Sequence, residues 1–202
     1  MERSYKTVAQ HVTWETKIQR SIFIGHTRSV DTEGEAKAFL AQIREEHAQA
    51  THNCYAYRLG LCDLPLEYYN DHGEPSGTAG RPILSAILQA DLTNTIVVVT
   101  RYFGGKKLGV RGLIDAYHST ATQTLAVAGV SAIIPRFLVF ISCDYSQLSQ
   151  VNYILQQFEG LTETVDYSTQ VNLQVLLPEE YQSAVIPALT ALPGVKIKSP
   201  GQ

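Results

Sequence analysis

Two stretches of this chain carry most of what could act on another molecule. They are Gly73-Glu74-Pro75-Ser76-Gly77-Thr78-Ala79-Gly80-Arg81-Pro82 and Gly104-Gly105-Lys106-Lys107-Leu108-Gly109-Val110-Arg111-Gly112. Glycine lets a backbone adopt positive φ and come close to a ligand, and the first turn of a following helix offers N–H groups that the helix itself leaves unpaired. Together these parts bind anions, phosphate above all. The second stretch adds charge, because Arg101, Lys106, Lys107 and Arg111 fall within 101–111, where there is no Asp or Glu. The candidate anion- or nucleic-acid-binding set is therefore Arg81, Arg101, Gly104, Gly105, Lys106, Lys107, Gly109, Arg111 and Gly112. Gly73, Glu74, Pro75, Ser76, Gly77 and Gly80 are expected to shape the first loop.

Other chemistries find less support. Gly104 and Gly109 have P-loop spacing, but Val110-Arg111 stands where Lys-Ser/Thr is required, and no G-x-G-x-x-G is present. The competing reading of the glycines is tight turning and close helix packing, with ordinary solvated lysines beside them. Two such loops, each ahead of a helix, favour the anion site. Asp71, His72 and Glu74 offer acid–base groups or metal ligands, yet their adjacency on one loop is no recurring metal spacing, and turn and capping chemistry accounts for Asp71 and Glu74. His47 and His52 read as a helix C-terminal partner and a strand-entry residue. Ser76 and Ser85 lack a nucleophile elbow and Cys54 lacks an activating neighbour, so no catalytic residue is assigned and no metal or cofactor is specified. Tyr102 and Phe103 could stack on a base, but aromatics at a strand end more commonly pack inward, and they stay outside the site set.

The elements that must hold these loops follow from periodicity. Val8 to Arg28 alternates and reads as one or two strands, in a hairpin. Asp31-Thr32 caps a helix whose stripe is Ala36, Phe39, Leu40 and Ile43, ending near His47. Strands are expected at 53–59 and 66–70, with the Cys62-Asp63-Leu64-Pro65 turn between them. The first glycine loop then feeds a short helix marked by Ile83, Leu84, Ile87 and Leu88. A buried strand, 95–101, leads into the second loop, and a helix runs from about Leu113 to Ala128. From Arg136 the pattern restarts as strand 137–143, helix 146–158 capped by Ser146, strands 161–167 and 170–177, helix 178–192 with Pro178 in its first turn, and strand 195–198. This β-α-β-β-α-β order is ferredoxin-like. The fold class is α+β, with an N-terminal domain over 1–133, a C-terminal domain over 137–202, and a short join at 131–136.

Composition sets the outer limits. At 202 residues and 45% hydrophobic, the chain can bury two modest cores. The start has no apolar run behind its charges and the longest apolar runs are strand-sized, so neither export nor membrane insertion is expected. Cys54, Cys62 and Cys143 are odd in number and form no C-x-x-C, which suits a reducing cytoplasm better than a disulfide framework. The net charge of −3 argues against a coat of positive charge; residues 1–135 are neutral overall and 136–202 carry the −3, so an anion site belongs to the local 101–111 cluster.

Three segments taken together resemble the signature of the YigZ/IMPACT family: Thr51-His52-Asn53-Cys54-Tyr55-Ala56, the run from Asn70 to Leu84, and Val97 to Leu113. The likeness covers roughly residues 17–128, where Lys17 and Arg20-Ser21-Ile22-Phe23-Ile24 are similar to the family's opening strand. The two-domain layout resembles the bacterial YigZ branch. The resemblance implies an N-terminal domain akin to a domain of a small-subunit ribosomal protein and of elongation factor G, and a small C-terminal domain akin to another domain of that factor. It also implies a link to translation, since eukaryotic relatives regulate it through a protein partner while the bacterial branch is described as nucleic-acid binding. The chain departs from the family pattern at His72, where Asp is common, at Val110-Arg111, where small residues are common, and at His118, where Gly is common; His118 is expected to thicken a helix surface.

Three functions are consistent with these observations. The leading one is a non-enzymatic RNA- or ribosome-associated protein in translation regulation, with the basic loop on phosphates. The second is a protein-interaction module in translation control. The third is an enzyme acting on a phosphorylated small molecule through Asp71, His72 or Glu74. No membrane partner is implied, and the oligomeric state is not specified.

Overall fold

A strand buried on both faces organises the N-terminal half. The computed structural model describes residues 5–61 and 64–198, so the first four residues and the Cys62-Asp63 part of the expected turn lie outside the described residues. In chain order the N-terminal elements are β1 (Tyr5–Val8), β2 (Val12–Ile18), β3 (Ser21–Ser29), α1 (Glu33–Glu46), β4 (His52–Leu59), β5 (Leu66–Asn70), α2 (Gly80–Gln89), β6 (Thr95–Tyr102), α3 (Gly109–Ala128) and β7 (Val130–Ile133). Among the described residues, five strands pair antiparallel in the order β2-β3-β6-β4-β5. β6 is central, which is why Ile96–Val99 show no polar alternation: successive side chains enter two different cores. On one face α1 packs Ala36, Phe39, Leu40 and Ile43 against Ile96 and Val98. On the other, α2 and α3 cover Val97 and Val99 with Ile83, Ile87, Tyr117 and Ala121.

Local signals explain the element ends. Thr32 Oγ1 accepts from Glu35 N–H at 3.2 Å while the Glu35 carboxylate accepts from Asp31 N–H at 2.9 Å, a reciprocal cap for α1. α3 begins at Gly109, four residues ahead of the expected Leu113, so Gly109, Val110, Arg111 and Gly112 belong to a helix and the second loop is shorter than the composition suggested. Its buried hydroxyls turn inward: Thr120 donates to the Ala116 carbonyl and Thr124 to the Thr120 carbonyl, both at 2.7 Å, so α3 can lie on the sheet with no hydroxyl left bare. The pairing of β1 with β7 was not expected; each is four residues long and carries no pattern that distinguishes it from a loop.

The second compact unit, residues 134–202, follows the first directly at Ile133. Its elements are β8 (Arg136–Cys143), α4 (Leu148–Gln157), β9 (Leu161–Tyr167), β10 (Val171–Pro178), α5 (Gln182–Thr190) and β11 (Lys196–Lys198). The sheet order β11-β8-β10-β9, antiparallel throughout, is that of a ferredoxin-like fold. Two helix starts differ from expectation. Ser146 does not cap α4, which begins after a turn closed by Gln147 N–H on the Asp144 carbonyl. Pro178 ends β10 opposite Arg136, and a 3-10 turn at Glu179–Tyr181 precedes α5, because the β8–β10 ladder holds the chain extended through Pro178. The expected join at 131–136 is likewise shortened, since Val130–Ile133 is a paired strand. Among the described residues no helix is long and apolar enough to cross a membrane.

One buried group makes stability depend on acid. His26 of β3 is 2% exposed, its Nδ1 lies 3.2 Å from Thr13 Oγ1, and its Nε2 has no hydrogen-bond partner. Burial, then the neighbouring His47, pushes its pKa from 6.5 down to about 4. The unfolded chain takes up that proton first as pH falls, so the neutral ring's contribution is complete above pH 6.5 and is lost on the way down to about 4. Urea unfolding across this window is expected to show a loss of about 3 kcal/mol attributable to His26, and His26→Gln should flatten the dependence.

Candidate anion-binding cleft

The end of the central strand β6 brings parts of both glycine loops together. β6 ends in Arg101 and Tyr102, and the chain leaving it is tied down: Thr51 N–H donates to the Arg101 carbonyl at 2.9 Å, Phe103 N–H to Thr51 Oγ1 at 3.1 Å, and Gly104 N–H to Ser21 Oγ at 3.3 Å. A side chain at Gly104 would collide with the Arg20 carbonyl, so glycine is what lets the loop cross the β2–β3 turn. Lys106 and Lys107 follow, both exposed, and α3 starts at Gly109.

Arg101 is not among the surface cations. It is 4% exposed, its guanidinium donates to Glu74 Oε1 at 2.6 Å and to Ser21 Oγ at 3.4 Å, and it lies 5.3 Å from the Phe23 ring centroid and 5.2 Å from that of Phe103. Glu74 does more than shape a turn: it is 9% exposed and also accepts from the Tyr117 hydroxyl of α3 at 2.8 Å. Burial, followed by the nearby Cys54 and Glu74, raises the Tyr117 hydroxyl pKa well above its ordinary value, keeping it a donor. Cys54 donates to the Asp71 carbonyl at 2.9 Å, and burial drives its thiol up to about 12, so no thiolate nucleophile forms near neutral pH.

The two helix starts, alike in sequence, differ in what occupies them. At α2 the Asp71 carboxylate accepts from Gly77 N–H at 2.8 Å, Ala79 N–H at 3.0 Å and Gly80 N–H at 2.8 Å, so the first loop already holds its anion. Gly80 permits this closeness, since a Cβ there would fall 2.7 Å from the Asn70 backbone nitrogen. At α3 the first turn has no acidic residue and Leu108 supplies no side-chain cap. Arg111, exposed, rides on that first turn.

A cleft of about 420 Å³ opens beside the α3 start. It gathers Glu74, Pro75, Arg101, Lys107 and Gly109 from the expected set; Arg81, Ser76, Gly77, Gly80, Gly104, Gly105, Lys106, Arg111 and Gly112 do not line it, and Gly73, on the loop before it, is likewise outside. Arg81 is exposed on the first turn of α2. Residues that the sequence left aside do line the cleft, notably Thr51, His52 and Phe103. Phe103 is 45% exposed, whereas Tyr102 turns to His47, its hydroxyl 2.9 Å from Nδ1. His52 is oriented by the His72 carbonyl, which can only accept; Nδ1, 2.8 Å away, therefore carries the proton, and Nε2 lies 3.8 Å from Glu74. His72 accepts from Asn53 N–H at 3.0 Å, and burial with the charges of Arg44 and His52 lowers its pKa, consistent with a neutral ring. His118 lies 3.1 Å from Gln89 Oε1 and so links α3 to α2.

The model of the Impact N-terminal domain matches residues 19–125, and that of a domain of unknown function, DUF1949, matches 141–192. IMPACT family member YvyE of Bacillus subtilis is 38% identical over 192 residues, covering 95% of this chain and 88% of that protein. IMPACT family member YigZ of Escherichia coli is 35% identical over 176 residues, covering 87% and 86%. A crystal structure described as that of a hypothetical protein superposes with a TM-score of 0.75 at 31% identity, covering 98% of both chains.

Two stability outcomes follow from the buried charges. Glu74→Ala leaves Arg101 without its carboxylate and is expected to cost about 3–5 kcal/mol by urea unfolding, with Glu74→Gln, which keeps a carbonyl acceptor, costing clearly less. Asp71→Ala unpairs three backbone N–H groups at α2 and should cost about 1–3 kcal/mol in the same measurement.

Proposed function

Because the chain belongs to the IMPACT family, we propose that it works as a non-enzymatic, RNA- or ribosome-associated protein in translation regulation, holding RNA phosphates at the start of α3. The observation that carries this reading is the contrast between the two helix starts: Asp71 fills the first, while the second lacks an acidic residue and is flanked by Lys106, Lys107 and Arg111. Unpaired first-turn amides give directed donors, and the three exposed cations give diffuse charge, the combination suited to phosphates in series. Arg101 and Glu74 neutralise one another beneath this surface, so the cations above are not opposed by the buried carboxylate.

The groups an enzyme would need are committed elsewhere. Asp71 is spent on three amides, Glu74 on Arg101 and Tyr117, and His72 on the Asn53 amide. This supports binding over turnover at the cleft. Cytoplasmic localisation accords with such a role.

The test is retention of labelled single-stranded RNA, and of ribosomal subunits, across a salt series. With three phosphates neutralised, the slope of log K against log salt is expected near about −2, and Lys106→Ala/Lys107→Ala/Arg111→Ala should abolish most of it. All three side chains are exposed, so the variant's thermal unfolding should match that of the parent. A flat salt response in the parent protein would overturn the proposal.

A further inference from the structure

Phosphate contacts alone leave the apolar part of the cleft without a purpose. Beside the α3 start, Pro75, Phe103, Leu108 and Val110 face the same cleft as Lys107, and the exposure of Phe103 (45%) and Val110 (62%) is high for side chains of that type. Phe103 is also fixed in place. Its amide is held by Thr51, and the Arg101 guanidinium lies 5.2 Å from its ring centroid, a cation–π contact anchored in turn by Glu74. An aromatic ring that is exposed yet held is what a stacking platform requires, since little side-chain freedom is lost on binding.

We infer that the cleft takes one unpaired RNA nucleotide, its base stacked on Phe103 and its phosphate at the α3 amides and Lys107. This rests on the phosphate reading above and adds a preference it does not contain. Bases inside a duplex are already stacked on their neighbours and cannot reach the ring, whereas a single strand, loop or end can present one. The cavity of about 420 Å³ is of the size to hold a single base with its sugar, and not two stacked base pairs. Selection is therefore for unpaired RNA, and the cations determine strength without determining that selection.

Fluorescence anisotropy with a labelled 12-nucleotide RNA, single-stranded or annealed to its complement, separates the two ideas. The parent protein should bind the single strand at least about 10-fold more tightly than the duplex. Phe103→Leu, which keeps apolar volume but removes the π face, should lose about 10-fold on the single strand while leaving duplex affinity and salt slope unchanged; Phe103→Tyr should restore the preference. Equal binding of the two RNAs by the parent, or equal weakening of both by Phe103→Leu, would overturn the stacking proposal while a steep salt slope left the phosphate site standing. Absence of a salt slope with either RNA would overturn both. Full displacement by free uridine or adenosine monophosphate at the concentration of RNA needed for binding would assign the cleft to a small nucleotide and overturn its assignment to RNA.

Discussion

A single buried ion pair, Arg101 with Glu74, holds the working end of the N-terminal unit together. It joins the last part of β6 to the first glycine loop, and Tyr117 ties the same carboxylate to α3. Three elements far apart in sequence therefore meet on one oxygen atom. Such a pair pays heavily in desolvation, and replacing it with apolar groups would be expected to cost little stability or none. What it supplies is position. Arg101 cannot move without disturbing Phe23 and Phe103, between whose rings it lies, and Glu74 cannot move without disturbing the loop that leads to α2. The cleft beside α3 inherits that fixed geometry.

The two glycine loops illustrate how alike sequences acquire unlike electrostatics. Each combines glycines with a following helix, and each helix start is a ready partner for negative charge. At α2 the partner comes from nine residues upstream of Gly80, where the antiparallel return of β5 aims Asp71 back across the loop. At α3 the chain arrives directly from the central strand, and the residues before it are lysines. One helix start is thus an internal fastening, and the other faces outward with its dipole reinforced by three exposed cations. The proposed role in RNA binding follows from that asymmetry and not from the overall charge of the chain, which is negative.

Much of the architecture was legible in the sequence because it depends on nearest neighbours along the chain. The stripe of α1 and its Thr32 cap, the β3 and β4 strands, the apolar run Ile96–Val99 of β6, and the β-α-β-β-α-β order of the second unit all arise from period and capping chemistry that operate over a few residues. The charge cluster at 101–111 and the two glycine loops were legible for the same reason. Where sequence signals were weak, the element was missed or misplaced: β1 and β7 are four-residue strands held by each other and, for β1, by contacts with residues 87 positions away, α3 extends back through glycines that have poor helix propensity, and Pro178 is kept extended by the strand opposite.

Contacts across the fold decided what sequence could not. Residue type alone makes Arg101 a cation for phosphate and Glu74 a turn residue, but separation by 27 positions hides that they neutralise one another. Asp71 as the anion of the first loop, His52 beside Glu74, and Phe103 held out at the cleft edge are likewise products of strand pairing and helix docking. The sequence by itself determined the two α+β domains, the order of their elements and the local concentration of positive charge, because propensity, period and formal charge are properties of short segments. Tertiary structure alone decided which of those charges are spent inside and which remain outside, because that balance depends on burial and on partners brought together from distant parts of the chain.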